Sequence, residues 1–152
     1  ENARSIGVLI TFGKFRFVDL GDLTWNKELD VARPDHLIGP VDLYLTTHHG
    51  FDQSGPMAIV HGLKPRVAIM NNGARKGGSP AAWKIVSASP GLQDLWQVHY
   101  SVAGAAEANV PEARIANMEA KCEGHGIEVS AEKNRTITVR NLRNGVSKTY
   151  KP

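Results

Sequence analysis

The sequence predicts an α/β fold: a mixed sheet with helices on one face, followed by a C-terminal antiparallel meander. Two observations carry the prediction. Through the first hundred residues, short apolar runs alternate with helix-length segments, the signature of layered α/β architecture. From residue 125 onward the pattern changes to alternation of apolar and polar residues, broken by the turn pairs Lys133-Asn134 and Asn144-Gly145, which reads as a small meander.

Ile6 to Ile10 and Phe15 to Asp19 read as two strands around a tight Gly13-Lys14 turn. Phe15 and Phe17 alternate with Lys14, Arg16 and Val18, so one face is expected to be buried. The segment from Asp22 to Ile38 carries Leu23, Leu29, Val31 and Leu37, and predicts an irregular helix broken before Pro34. Val41 to Thr46 is a short strand announced by Pro40. Pro56 to Leu63 reads as a helix with proline in its first turn, opened by Ser54 or Gly55. Lys64-Pro65 announces a strand over Arg66 to Met70, and Ser79-Pro80 caps a helix running to about Ala88. Leu95 to His99 predicts a further strand. Residues 101–124, rich in Ala and Gly, read as a long loop with one helical turn at most. Ile127 to Ala131, Thr136 to Val139 and Val146 to Tyr150 form the meander.

The chain has 152 residues, 41% hydrophobic and 22% charged, which fits one globular domain with its own core. The expected organisation is a single domain over 1–152: an α/β part over 1–100, the loop over 101–124, and the meander over 125–152. No apolar run approaches the roughly 20 residues that cross a bilayer, so no membrane partner is expected. The formal net charge of +3 is scattered apart from Arg75-Lys76 and the stretch from Lys133 to Lys151, a weak footprint for nucleic acid, which is not an expected partner. Cys122 is the single cysteine, so no disulfide closes within the chain and no cysteine cluster holds zinc. The chain opens with Glu1-Asn2-Ala3-Arg4, with neither an initiator Met nor a signal-peptide pattern. Removal of an upstream segment is compatible with that opening, and localisation stays open.

Two strand ends carry the candidate chemistry. Phe17-Val18-Asp19-Leu20-Gly21 ends in Asp22, and Gly21 allows a sharp turn that aims a carboxylate over the sheet edge. Asp22 also suits an Asx-turn or a helix N-cap, a role that Thr24 or Asn26 could share. Leu43-Tyr44-Leu45-Thr46-Thr47 ends in His48-His49-Gly50. Adjacent histidines point to opposite sides if strand geometry continues, so one suits a metal and the other a substrate or an orienting neighbour. Asp52 and Ser54 stand just beyond as partners for the imidazoles. The Gly-rich, basic stretch Asn71 to Ser79 leads into a helix and reads either as a mobile loop or as an anion cradle. It lacks the Gly-Lys-Ser/Thr order of a P-loop. No Gly-x-Ser-x-Gly elbow surrounds Ser54, Ser79, Ser87 or Ser89. His36, His61, His99 and His125 lack motif context and read as surface or packing residues. Trp25, Trp83 and Trp96 read as core or interface anchors.

Gly21-Asp22, then Asp42 through Ser54 with its His48-His49-Gly50, then Lys64 to Met70, together resemble the metallo-β-lactamase superfamily. The likeness runs roughly from Ser5 to Ala88 and is nearest to the hydrolase domain of DNA-uptake competence proteins. The resemblance implies one half of a four-layer αββα sandwich, a zinc-dependent hydrolase acting on an ester, lactone, amide or phosphodiester, and a site built on Asp22, His48 and His49. Asp22 would be the metal-bridging carboxylate and His48 the terminal histidine ligand, with His49 as the alternative. Ser54, Arg75, Lys76 and Ser79 form the candidate substrate-binding set. The chain departs from the family pattern in lacking the His-x-His-x-Asp-His segment, and Ser79 stands where relatives carry the His of Gly-His-Pro. The expectation is therefore the second half of such a domain, with zinc weakly held or absent. The alternative is a catalytically inactive half-domain that folds as a homodimer or interaction module, because a lone half would leave one sheet face uncovered.

Overall fold

The computed structural model describes residues 2–33, 35 and 37–152. It is an α/β structure built on a six-stranded mixed sheet in the order β1-β2-β3-β4-β5-β6, with a separate three-stranded sheet β7-β8-β9. The strands of the large sheet are β1 (Val8–Phe12), β2 (Phe15–Asp19), β3 (Leu43–Leu45), β4 (Val67–Met70), β5 (Asp94–His99) and β6 (Ile115–Asn117). Only β1 is antiparallel to its neighbour, with Phe12 opposite Phe15 across the tight turn. Strands β2 to β6 run parallel. Helices α1 (Trp25–Ala32), α2 (Met57–Leu63) and α3 (Pro80–Ser87) form the crossovers between successive parallel strands. Crossovers of one hand that step in one direction place their helices on the same face.

That face is one half of the core: Val18, Tyr44, Ala68, Met70 and Leu95 pack against Ile59, Val60, Leu63 and Val86. The opposite face is covered as well. Strands β7 (Ile127–Ala131), β8 (Ile137–Asn141) and β9 (Ser147–Tyr150) fold over it, and Ile137, Val139 and Tyr150 meet Phe15, Leu43, Val67, Ile69 and Trp96. The expectation of a bare sheet face is thereby corrected: the meander supplies the missing layer. It leaves an apolar cavity of about 290 Å³ lined by residues such as Phe17, Leu45, Ile69 and Val129. Phe15 and Val18 are both buried, so β2 is covered on its two faces rather than one. Trp96 is fully buried, whereas Trp25 is half exposed.

The loop reading of residues 101–124 needs a second correction. A 3-10 turn at Glu112–Arg114 leads into β6, which pairs with β5 through Gln97 and His99. The segment before it is pinned by polar contacts: Val110 N donates to Gln97 Oε1 at 2.6 Å, and Ser101 N donates to Asn109 Oδ1 at 2.8 Å. A partly buried acid, Asp94 at the start of β5, ties the meander to the sheet. Trp96 Nε1 donates to the Tyr150 hydroxyl at 2.9 Å, which donates to Asp94 at 2.8 Å, and Arg114 and Lys148 pair with the same carboxylate. Among the described residues, no helix is long and apolar enough to cross a membrane.

Candidate functional site

Parallel strands deliver their following loops to one edge of a sheet, and α/β ligand sites form there. At that edge the loop after β2 meets the loop after β3. Asp19 begins it: its Oδ1 accepts from Gly21 N at 2.8 Å, and Gly21 takes φ +57°. A Cβ on Gly21 would lie 3.2 Å from the Ile6 carbonyl oxygen and 3.3 Å from Ser5, so only glycine turns comfortably here. The Gly21 carbonyl then accepts from His48 N at 2.8 Å. That backbone bond sets the two strand-end loops side by side.

After Thr47 the chain leaves strand geometry. His48 and His49 take φ +50° and +58° in succession. Left-handed backbone at a residue bearing a Cβ costs of order 1–3 kcal/mol, and such strain collects at functional sites. The expected divergence of the imidazoles to opposite strand faces is replaced by this kink. His49 Nε2 lies 3.6 Å from Asp22 Oδ1, with the two side chains about a quarter and two-fifths exposed. The ring centres of His48 and His49 are 6.3 Å apart, and His48 packs on Phe51.

The hydrogen bonds assign the tautomers. Ser54 Oγ donates to Leu23 O at 2.6 Å, so toward His48 Nδ1, 3.1 Å away, it acts as acceptor. His48 therefore carries its proton on Nδ1 and a lone pair on Nε2, and Asn2 Nδ2 stands 3.4 Å from that nitrogen. His49 Nδ1 faces the Asn71 carbonyl at 3.1 Å, which can only accept, so Nδ1 carries a proton and the neutral ring has its lone pair on Nε2. That lone pair faces a carboxylate oxygen, another acceptor. Two acceptors at 3.6 Å are at ease only with a proton or a cation between them.

The other sequence candidates fall in distinct places. Ser54 is buried and committed to His48 and Leu23, so it orients an imidazole and is out of a substrate's reach. Ser79 caps α3, its Oγ accepting from Ala82 N at 3.2 Å. Its loop still packs on the site, because Gly78 N and Ser79 N donate to His49 O and Gly50 O, each at 2.9 Å. A Cβ on Gly77, at φ +69°, would lie 2.0 Å from His49 O. Arg75 and Lys76 are exposed on that loop and make no side-chain hydrogen bond or ion pair among the described residues. Asp52 is exposed. His61 Nε2 donates to Ile85 O, His125 pairs with Glu123, and His99 sits against Tyr100 and Asn72. His36 lies outside the described residues.

Glu28 is the residue that sequence reasoning missed. It is fully buried on α1, accepts from Gly55 N at 2.7 Å through Oε2, and leaves Oε1 without a hydrogen-bond partner among the described residues. Burial pushes its carboxyl up to about 7, only partly opposed by bonds from Gly55 and Thr47. Those two residues flank the segment that holds His48 and His49, so Glu28 fastens the base of the histidine loop. Tyr44, buried beneath it with its hydroxyl 2.9 Å from Thr47 Oγ1, is also shifted up, first by burial and then by Glu28.

Zinc tests the donor set directly. Ligands at about 2.0–2.2 Å in tetrahedral array lie roughly 3.3–3.5 Å from each other, and the Asp22–His49 separation of 3.6 Å is close to that span. The pair fits as two donors of a metal centre. A catalytic zinc takes about three protein ligands, and among the described residues no group of three or more His, Cys, Asp or Glu could hold a metal ion. This is an α/β protein with Asp22 and two histidines of strained backbone at the carboxyl end of its sheet. No family model, curated protein or solved structure matches the chain.

Proposed function

We propose that this chain carries one side of a metal-dependent hydrolase centre of metallo-β-lactamase type, in which Asp22 and His49 are the metal donors. The observation that supports the reading is the approach of Asp22 Oδ1 and His49 Nε2 to 3.6 Å, near the separation of two zinc ligands and held by two successive strained residues. The Asn71 carbonyl takes the proton on His49 Nδ1 and turns Nε2 toward the carboxylate, the role that outer partners play at metal sites. His48, steadied by Ser54, stands beside the pair with its lone pair against Asn2. The rim is incomplete as a hydrolytic centre, so no hydrolytic step is assigned to these residues alone. Arg75 and Lys76, exposed on the neighbouring loop, suit an anionic substrate such as a phosphodiester.

Calorimetric titration with Zn²⁺ tests the reading. One site per chain is expected, abolished in Asp22→Asn and in His49→Ala and retained in His48→Ala. Equal binding by all three variants, or none by the wild type at millimolar Zn²⁺, removes it.

A second reading, a catalytically inactive module that pairs with another copy, is favoured by one observation. Strand β1 is the sheet's edge, and Val8, Leu9, Ile10 and Phe12 are 40–50% exposed along it. An apolar strand with open backbone groups is a template for pairing. A monomer by light scattering at high micromolar concentration removes that reading and leaves the first intact.

A further inference from the structure

At the opposite end of the sheet, by the amino ends of the parallel strands, a pocket of about 500 Å³ is lined by Thr11, Lys14, Arg16, Pro40, Asp42 and Arg135. It forms where the β1–β2 turn docks on the β7–β8 turn, Lys14 N donating to Lys133 O at 2.8 Å. Its floor is Asp42, which is 1% exposed. Both carboxylate oxygens are already engaged: Oδ2 accepts from Arg16 N at 2.9 Å, and Oδ1 accepts from Arg66 Nη1 at 3.1 Å and Arg135 Nε at 2.8 Å.

The charges around this carboxylate do not balance. Lys14, Arg16, Arg66 and Arg135 surround one anion, an excess of three positive charges. Arg66 also donates to the carbonyls of Arg135 and Lys151. Arg16 gives Nη2 to Ile38 O, yet its buried Nε has no partner among the described residues. Lys14 Nζ and both Nη atoms of Arg135 have no acceptor among the described residues. Arg135 is held at φ +80°, a strained value for a residue with a side chain, and that turn brings its guanidinium onto Asp42. Cations gathered in a concave site around an already satisfied carboxylate create a local positive potential that another anion relieves. The donors are chiefly guanidinium groups, whose planar forks match phosphate oxygens. The volume exceeds a bare phosphate and lies in the range of small-molecule sites, about 300–1,000 Å³.

We propose that this pocket binds a small phosphate-bearing anion, with Lys14, Arg16 and the outer nitrogens of Arg135 as its ligands. The site is separate from the Asp22–His49 rim, lying about a strand length away, roughly 17 Å for five residues, and does not depend on the hydrolase reading. Inorganic pyrophosphate is the probe. Its ³¹P resonance should broaden on addition of the full chain at physiological salt, and the broadening should titrate to one site. Lys14→Gln, which removes a side chain with no hydrogen bond among the described residues, should weaken binding about tenfold, as loss of one charge-assisted contact requires. Arg135→Gln should weaken it at least as much, with folding checked by circular dichroism. Asp22→Asn should bind pyrophosphate as the wild type does. No broadening at 10-millimolar probe concentration, or unchanged affinity in Lys14→Gln, overturns the proposal. So does salt-steep binding of duplex DNA without pyrophosphate binding, which would assign the surface to nucleic acid.

Discussion

Replacing Glu28 by Gln tests the reasoning about the buried acid. The carboxyl is fully buried, with one oxygen unpartnered among the described residues, and its value is raised from 4.5 to about 7. The folded chain therefore holds a proton that the unfolded chain releases between those values. Folding stability from this group falls as pH rises through that window, is lowest above pH 7, and suffers no penalty below about pH 4.5. At ~1.4 kcal/mol per pH unit, the penalty at pH 8 is of order 3 kcal/mol, an upper figure because a buried charge draws relaxation and water. Glu28→Gln keeps the shape, removes the charge and leaves the side-chain oxygen able to accept from Gly55 N. Urea unfolding followed by circular dichroism at pH 5 and pH 8 is the assay. Relative to wild type, the variant should gain about 1–3 kcal/mol at pH 8 and little at pH 5. A variant less stable than wild type at pH 8, or a difference independent of pH, refutes the reasoning.

Tyr150→Phe removes the hydroxyl that links Trp96 Nε1 to Asp94 and strands a buried indole N–H, at a cost of about 1–3 kcal/mol. An unchanged urea midpoint would show that the link between meander and sheet is not needed. Gly77→Ala places a methyl 2.0 Å from His49 O at a positive φ. It should move the loop off the histidines, weaken Zn²⁺ binding at least tenfold by calorimetry, and lower the melting temperature by several degrees. Wild-type metal affinity would show that this loop does not hold His49.

The strands and helices were legible because their boundaries carry local chemistry. Ser79-Pro80 caps α3 as its residue types demand, Gly13-Lys14 makes the first hairpin, and the alternation over Ile127 to Ala131 marks the meander. β6 was not legible, because Ile115–Asn117 is three residues long and owes its strand conformation to β5. The closure of the second sheet face was missed for a related reason: local alternation reveals that the meander has an apolar side but not where it docks. At the site, chain position brought Asp22 and the histidine pair to one edge. The imidazole nearest the carboxylate could not be read, since two consecutive left-handed residues redirect both rings. Glu28 sits in Trp25-Asn26-Lys27-Glu28, which reads as a solvated helix face, and only its packing under Gly55 reveals it. The contact between Asp42 and Arg135 spans 93 residues, beyond any local pattern.

The proposed metal centre requires Asp22 and His49 to receive one cation jointly. Crystals grown with Zn²⁺ and measured at the zinc absorption edge test this most directly. The account predicts one anomalous peak per chain, about 2.0–2.2 Å from both Asp22 Oδ1 and His49 Nε2, with both histidines still in left-handed conformation. Zinc bound elsewhere while Asp22 and His49 remain vacant would contradict it.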